Sequence, residues 1–165
     1  MATTPTVALC DDLAAAVSAA WTPVAPDGVS RAYFFRAGDS DGVSVPALTG
    51  RQVVFFPTRY EWENETRARD RYTHHVGCMI AERYGDGTPA TASDPPQSWI
   101  DARVDFVHAR IVQGLRYTRT GPPSFNPFLM TLGAAVEVLD VKKLLTGGRL
   151  FFCLVELEFE ELVTP

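Results

Sequence analysis

Two adjacent histidines followed by a cysteine are the residues of this chain that come nearest to a metal or catalytic site. His74, His75 and Cys78 lie in the stretch RARDRYTHHVGCMIAERY. Its residue pattern predicts a β-strand over residues 70–82, and neighbouring residues of a strand point to opposite faces of the sheet. His74 and His75 therefore cannot chelate one ion. His74 and Cys78 share a face, but they lie about 13 Å apart, too far for one tetrahedral zinc. We interpret both histidines as core or interface residues.

A row of glutamates near the end of the chain is the second candidate for chemistry. The stretch RLFFCLVELEFEEL alternates apolar and acidic residues, which predicts a half-buried strand with Glu156, Glu158 and Glu160 on its outer face. Carboxylates two positions apart on a strand lie about 7 Å from each other, so they can bind a hard cation or share protons. A solvent-facing row that prevents pairing between sheet edges is the simpler interpretation. We therefore assign no catalytic residue, no metal and no cofactor.

The overall composition favours a soluble globular protein. The chain has 165 residues, of which 46% are hydrophobic and 21% charged, and this length is typical of one domain. The sequence contains no apolar run of the roughly 20 residues that span a bilayer, and no basic export signal, so we expect folding in a cytoplasm. The net charge of −5 disfavours general binding to nucleic acid phosphates. Three widely spaced cysteines among apolar neighbours indicate reduced, buried thiols.

Hydrophobic periodicity and turn residues predict an α+β fold. The expected sheet is mixed and mainly antiparallel, flanked by two helices, in a single domain over residues 1–165. The predicted helices cover residues 5–20 and 97–114. The predicted strands cover residues 30–36, 52–57, 70–82, 134–141 and 150–162. The predicted core contains Trp21, Phe55, Val76, Ile80, Val107, Ile111, Val155 and Leu157.

Arginines gather around the acidic segment EWENE, between two of the predicted strands. They are Arg59, Arg67, Arg69 and Arg71. A dense mixture of both charges is typical of a surface that contacts another protein, and equally of a solvated loop. We nominate the four arginines as a candidate ring or partner interface.

The order of these segments resembles that of the tail terminator, or tail completion, proteins of long-tailed bacteriophages. The resemblance extends over most of the chain and rests on an N-terminal helix ending near Trp21, followed by VSRAYFF and QVVFFP. Next come an Arg-bearing stretch, in which Arg71 and Tyr72 begin the long strand, and the helix SWIDARVDFVHARIVQGL. The segment VLDVKKLLTGGRLF then leads into the final strand.

The resemblance implies a structural role without chemistry. Proteins of that family are small α+β subunits that form a ring, commonly a hexamer, on the last ring of the tail tube. The ring stops tube polymerisation and presents a surface to the head-completion or connector protein. By this resemblance the chain is a virion protein of the tail or neck, assembled in the host cytoplasm. DNA would only pass through the ring, and an acidic lumen, for which Glu156, Glu158 and Glu160 are the candidates, would not trap it.

Two other functions stay open at the level of sequence. The chain could be another neck or head-completion connector subunit, which would bind the head portal rather than the tail tube. It could instead be a small metal-dependent enzyme that uses the glutamate row together with His75, and such an enzyme would hold a divalent ion.

Overall fold

A mixed β-sheet with helices packed on one face is the architecture of the computed structural model. The structure describes residues 5–25, 27–32, 50–66, 69–85, 95–116, 129–131, 136–137 and 150–163. The strands are β1 (Gly28–Arg31), β2 (Gln52–Thr66), β3 (Arg69–Arg83), β4 (Leu129–Thr131), β5 (Val136–Glu137) and β6 (Leu150–Val163). The helices are α1 (Pro5–Trp21), α2 (Gln97–Phe106), a π-helical segment (Val107–Val112) and α3 (Gln113–Arg116).

The strand order is β1-β2-β3-β6-β4, and β5 also pairs with β6. β1 runs parallel to β2, whereas the other pairs are antiparallel. The predicted α+β class with a mixed, mainly antiparallel sheet is therefore confirmed. No helix in the described part of the chain combines the length and apolar character of a membrane span.

Three long strands form the centre of the sheet. β2 and β3 each have 15 residues, and β6 has 14. A strand of that length reaches about 50 Å, whereas the 17 residues of α1 span about 25 Å. The helices therefore cover only part of the sheet. The end of β2 and the start of β3 pair with each other beyond the start of α1, and we call this two-stranded part of the sheet the ribbon.

β2 is much longer than the predicted strand over residues 52–57, and the segment EWENE is a strand rather than a loop. The β2–β3 pairing shifts register between Pro57 and Arg59. A bulge of this kind accommodates a proline and exchanges the faces on which alternate residues lie. Because the alternation changes phase there, no continuous pattern with a period of two runs through β2. Pairing with β3 holds these polar residues in a strand.

The other predicted elements are reproduced with different boundaries. The strand expected over residues 30–36 appears as β1, which ends at Arg31, and residues 33–36 lie outside the described part. The strand expected over residues 134–141 appears as β5, with its flanking residues outside the described part. β4 was not predicted. The second helix continues to Arg116 through a π-helical segment that the periodicity did not indicate.

The core lies between the helices and one face of the sheet, which we call the inner face. Leu9, Leu13 and Val17 of α1 are buried there. The predicted core is confirmed, because all its members are buried except Trp21, which packs against the cluster while partly exposed. Cys10, Cys78 and Cys153 are buried free thiols. Burial raises the pKa of Cys10 to about 12, so this thiol stays protonated.

Candidate interaction site

A buried polar network joins α1 to two long strands. The Thr6 hydroxyl lies 2.9 Å from His74 Nδ1, and His74 Nε2 lies 3.1 Å from Glu161 Oε2. All three side chains are buried, although they belong to residues far apart in the sequence. β3 and β6 are antiparallel neighbours, and Tyr72 lies directly opposite Glu161. His74 and Glu161 are therefore diagonal neighbours on the inner face of the sheet.

The hydrogen bonds of this network are consistent with a neutral imidazole. Burial lowers the pKa of His74, and this desolvation outweighs the opposing effect of Glu161. In a neutral imidazole one nitrogen donates and the other accepts, and an ionised carboxylate only accepts. His74 Nε2–H therefore donates to Glu161, and the Thr6 hydroxyl donates to Nδ1.

The chemistry of the network follows from its burial. Hydroxyl, imidazole and carboxylate occur here in the order of a nucleophile, its base and an orienting acid. However, Thr6 and His74 are 6% and 2% exposed, so their polar atoms face each other rather than solvent. We interpret the network as a polar connection that fixes the start of α1 to the middle of β3 and the end of β6.

We expect the network to make stability depend on pH. Because the pKa of His74 in the folded protein is lowered from 6.5, only the unfolded chain takes up this proton as the pH first falls below that value. The free energy of unfolding should therefore decrease relative to that of the His74→Gln variant between about pH 7 and about pH 5. Urea unfolding of both proteins over this range measures the difference.

The control for this measurement is His108→Gln, which removes an exposed imidazole from the π-helical segment. Wild type and His74→Gln curves that stay parallel across the range would contradict a lowered pKa at His74. Differences between variants are measured because carboxyl groups in general also begin to take up protons at the acidic end of this pH range.

A cleft opens beside this network, between the start of α1 and the bulge of β2. Its volume is about 680 Å³, and most of its lining is apolar. The lining residues are Pro5, Thr6, Val7, Pro57, Thr58, Arg59, Tyr60, Tyr72 and His74. Tyr60 and Trp62 continue this inner face along the ribbon and are 66% and 57% exposed. Large exposed aromatic side chains next to an apolar cleft are typical of a surface that binds another molecule.

Of the four nominated arginines, the structure describes the side chains of Arg59 and Arg71. Arg59 borders the cleft and forms an exposed ion pair with Glu61, at 2.9 Å. Arg71 lies opposite Glu63 of β2. Arg69 is the first residue of β3, with its side chain outside the described part, and Arg67 lies wholly outside it. Their role as an interface stays a prediction.

The glutamate row lies on the outer face of the sheet, as predicted from the alternation. Glu156, Glu158 and Glu160 are opposite Gly77, His75 and Thr73 of β3. All three therefore lie on the face opposite to the one on which the described helices pack. A role in a ring lumen stays a prediction.

The two adjacent histidines point to opposite faces, as expected for a strand. His74 is buried on the inner face, whereas His75 lies on the outer face between two carboxylates. Its Nε2 is 3.7 Å from Glu61, and its Nδ1 is 4.0 Å from Glu158. Among the described residues, no three His, Cys, Asp or Glu side chains are grouped as metal ligands.

Sequence reasoning missed Thr6 and Glu161 of the buried network, and Tyr60 and Trp62 of the ribbon. The alternation in β6 contained a usable signal for Glu161, because it places this carboxylate on the apolar side, two positions after Phe159. A carboxylate on a buried face requires a partner, and His74 is on the corresponding face of its own strand. The two aromatic residues had no such signal, since the bulge changes the phase of β2.

Comparisons with protein-family models and with curated protein sequences give no match to this chain.

Proposed function

We propose that this chain is a structural virion subunit that forms a ring on the end of a bacteriophage tail tube. The ring stops tube polymerisation and provides the surface that joins the tail to the head connector. Its partners are further copies of itself, in a ring that is most simply a hexamer, the tail tube protein and a head-completion or connector protein. The subunit acts without a cofactor and performs no catalysis, and it assembles in the host cytoplasm before it becomes part of the virion.

The observation that carries this proposal is the pair of exposed aromatic residues on a hydrogen-bonded ribbon. Tyr60 and Trp62 point to the inner face of β2, at positions that pair with β3 and lie beyond the bulge. Tyrosine and tryptophan are enriched at the energetic centres of protein interfaces. Paired strands hold them in place, so little conformational entropy is lost on binding. An assembly subunit requires such a pre-ordered contact surface.

The outer face, on which none of the described helices packs, supports the same proposal. It presents Glu156, Glu158 and Glu160 on one strand, in a chain whose net charge is −5. A surface of this charge repels a passing polyanion and does not hold it by phosphate contacts. We therefore assign this face to the lumen of the ring, with DNA as a passing molecule and not a bound ligand.

The experiment measures capping of a growing tail tube. Tail tube protein is allowed to polymerise with and without this chain, and tube length and end structure are examined by negative-stain imaging. We expect wild-type protein to limit tube length and to add a terminal ring, and Trp62→Ser to lose this activity. Glu63→Gln is the matched control, because Glu63 is an exposed residue of the same strand next to Trp62.

The alternatives give different results in the same set of samples. Tubes of unchanged length, combined with binding to a head portal protein, would replace the proposal by a connector subunit. A stoichiometric divalent ion found by metal analysis of the purified protein would favour the metal-dependent enzyme. Loss of capping in Glu63→Gln as well as Trp62→Ser would remove the special role of the aromatic residues.

A further inference from the structure

The ribbon has an open sheet edge along β2. β1 pairs with β2 only over Gln52–Phe55, whereas β3 pairs with β2 as far as Thr66. Beyond the bulge, β2 therefore has β3 on one side and no strand of the described part of the chain on the other. An open edge presents a row of backbone N–H and C=O groups, which can pair with a strand of another molecule.

Tyr60 and Trp62 direct their backbone groups to this open edge. Before the bulge, the Phe55 carbonyl accepts the Ala32 N–H on the β1 side, so the backbone of Phe55 faces away from β3. Antiparallel pairing alternates between residues that bond to the partner strand and residues that face away from it. The bulge adds one residue, so the residues that face away after it are even-numbered. Tyr60 and Trp62 therefore combine exposed aromatic side chains with backbone groups that point to the edge.

The charges along this edge are self-complementary. Arg59, Glu61 and Glu63 occupy alternate positions on the outer face of β2, and all three are exposed. When two such strands are aligned antiparallel about Glu61, Arg59 of each copy lies opposite Glu63 of the other. Opposite charges at directly opposed positions stabilise a pair of strands. The two Glu61 carboxylates face each other, but each has its own Arg59 guanidinium at 2.9 Å.

The same register also suits the backbone and the aromatic residues. Tyr60 of each copy lies opposite Trp62 of the other, and each of these pairs exchanges both of its N–H···O=C bonds. A register centred on Tyr60 would bring the irregular bulge at Thr58 into the contact. A register centred on Trp62 would place Glu61 opposite Glu63 on both sides of the axis. Alignment about Glu61 avoids both of these costs.

We infer that two copies of this chain pair along the ribbon edges of β2, antiparallel and with Glu61 on the two-fold axis. Such a contact is isologous, because Arg59 meets Glu63 in both directions. The sheet continues from one copy into the other, and the aromatic residues of the two ribbons cover each other. The dimer is a form of the free subunit. It goes beyond the proposed ring function and does not depend on it.

A single cysteine on the two-fold axis tests this register. In Glu61→Cys the two new thiols face each other at a non-hydrogen-bonded position, where Cα atoms lie about 4.5 Å apart, within the range of a disulfide. The chain's own three cysteines are buried. Mild oxidation should therefore convert Glu61→Cys into a covalent dimer on a denaturing gel without reductant. Glu63→Cys is the matched control and should stay mainly monomeric, because its thiol faces Arg59.

Exchange of charges tests the same contact in solution. Arg59→Glu and Glu63→Arg each place like charges opposite each other, and each alone should weaken dimerisation by about tenfold or more in sedimentation equilibrium. A 1:1 mixture of the two variants should recover dimerisation, because the acidic edge of one then faces the basic edge of the other. Circular dichroism checks that these surface variants are folded.

Three results would overturn the inference. They are wild-type protein that stays monomeric at its highest soluble concentration, a Glu61→Cys protein that crosslinks no better than Glu63→Cys, and a mixture of charge variants that dimerises no better than its components. The crosslink reports this contact even if the protein also forms larger rings. None of these results decides the proposed function, which the tube-capping experiment tests separately.

Discussion

Replacement of Glu82 by alanine is expected to destabilise the fold by about 3 kcal/mol, the lower end of the cost of removing one partner from a buried ion pair, because the Glu82 side chain is still 13% exposed. Glu82 Oε2 accepts a hydrogen bond from Arg51 Nε at 2.8 Å and another from Arg103 Nε at 3.1 Å. Its other oxygen bonds to Arg103 Nη2. Without the carboxylate, two guanidinium groups of like charge are left close together and largely shielded from water.

Aromatic rings prevent these arginines from turning freely into solvent. The Arg51 guanidinium carbon lies 4.3 Å from the ring centre of Phe106 and 5.4 Å from that of Trp21. The corresponding distance from Arg103 to Trp99 is 4.0 Å. Since these contacts come from α1 and α2, the ion cluster connects both helices to β2 and β3. Its loss should therefore reduce global stability rather than loosen one edge.

Urea unfolding of Glu82→Ala measures the expected loss. Glu61→Ala is the control, because Glu61 forms an ion pair with Arg59 at a similar distance, 2.9 Å, but is 56% exposed, against 13% for Glu82. Exposed pairs contribute about 0 to 1 kcal/mol. Equal and small changes in the two variants would show that burial does not strengthen the Glu82 cluster.

Truncation of Phe55 to alanine is expected to cost about 3 to 5 kcal/mol, as for other fully buried phenylalanines. The Phe55 side chain is completely buried in the core beneath the helices. Its carbonyl accepts the Ala32 N–H at 3.1 Å, so the same residue also helps to hold the end of β1. The cavity would lie in close-packed surroundings that relax only partly.

Phe56→Ala is the matched control for this prediction. Phe56 is the next residue of β2 and points to the outer face, where its ring lies over Gly77, so a Cβ on that glycine would be 2.3 Å from the ring. Its side chain is only partly buried, and we expect a smaller loss in thermal or urea unfolding. If the two variants lost the same stability, the outer face would be as important to folding as the core.

Much of the fold is predictable because it depends on local periodicity. Alternation places His74 and Val76 on one side of β3, and it separates the glutamates of β6 from its apolar residues. Helical spacing likewise identifies the stripe of α1 that packs on the sheet. These assignments need only the geometry of a single element, so they hold before any partner is known.

The candidate site was less predictable because its members come from different elements. Thr6, His74 and Glu161 meet only after α1, β3 and β6 have packed, and the cluster of Glu82 with Arg51 and Arg103 depends on packing in the same way. The two exposed aromatic residues of β2 were hidden by a bulge. That bulge is stable only because β3 pairs with both sides of it.

The amino-acid sequence was sufficient to predict the class of fold, the inner and outer faces of β3 and β6 and most of the core. Tertiary packing sets how far β2 extends, which carboxylate meets His74 and where the cleft opens. The two sets of features differ because they depend on interactions of different range. Periodicity expresses contacts of a segment with its average surroundings, whereas register and side-chain partners are fixed by pairing between residues that are distant in the chain.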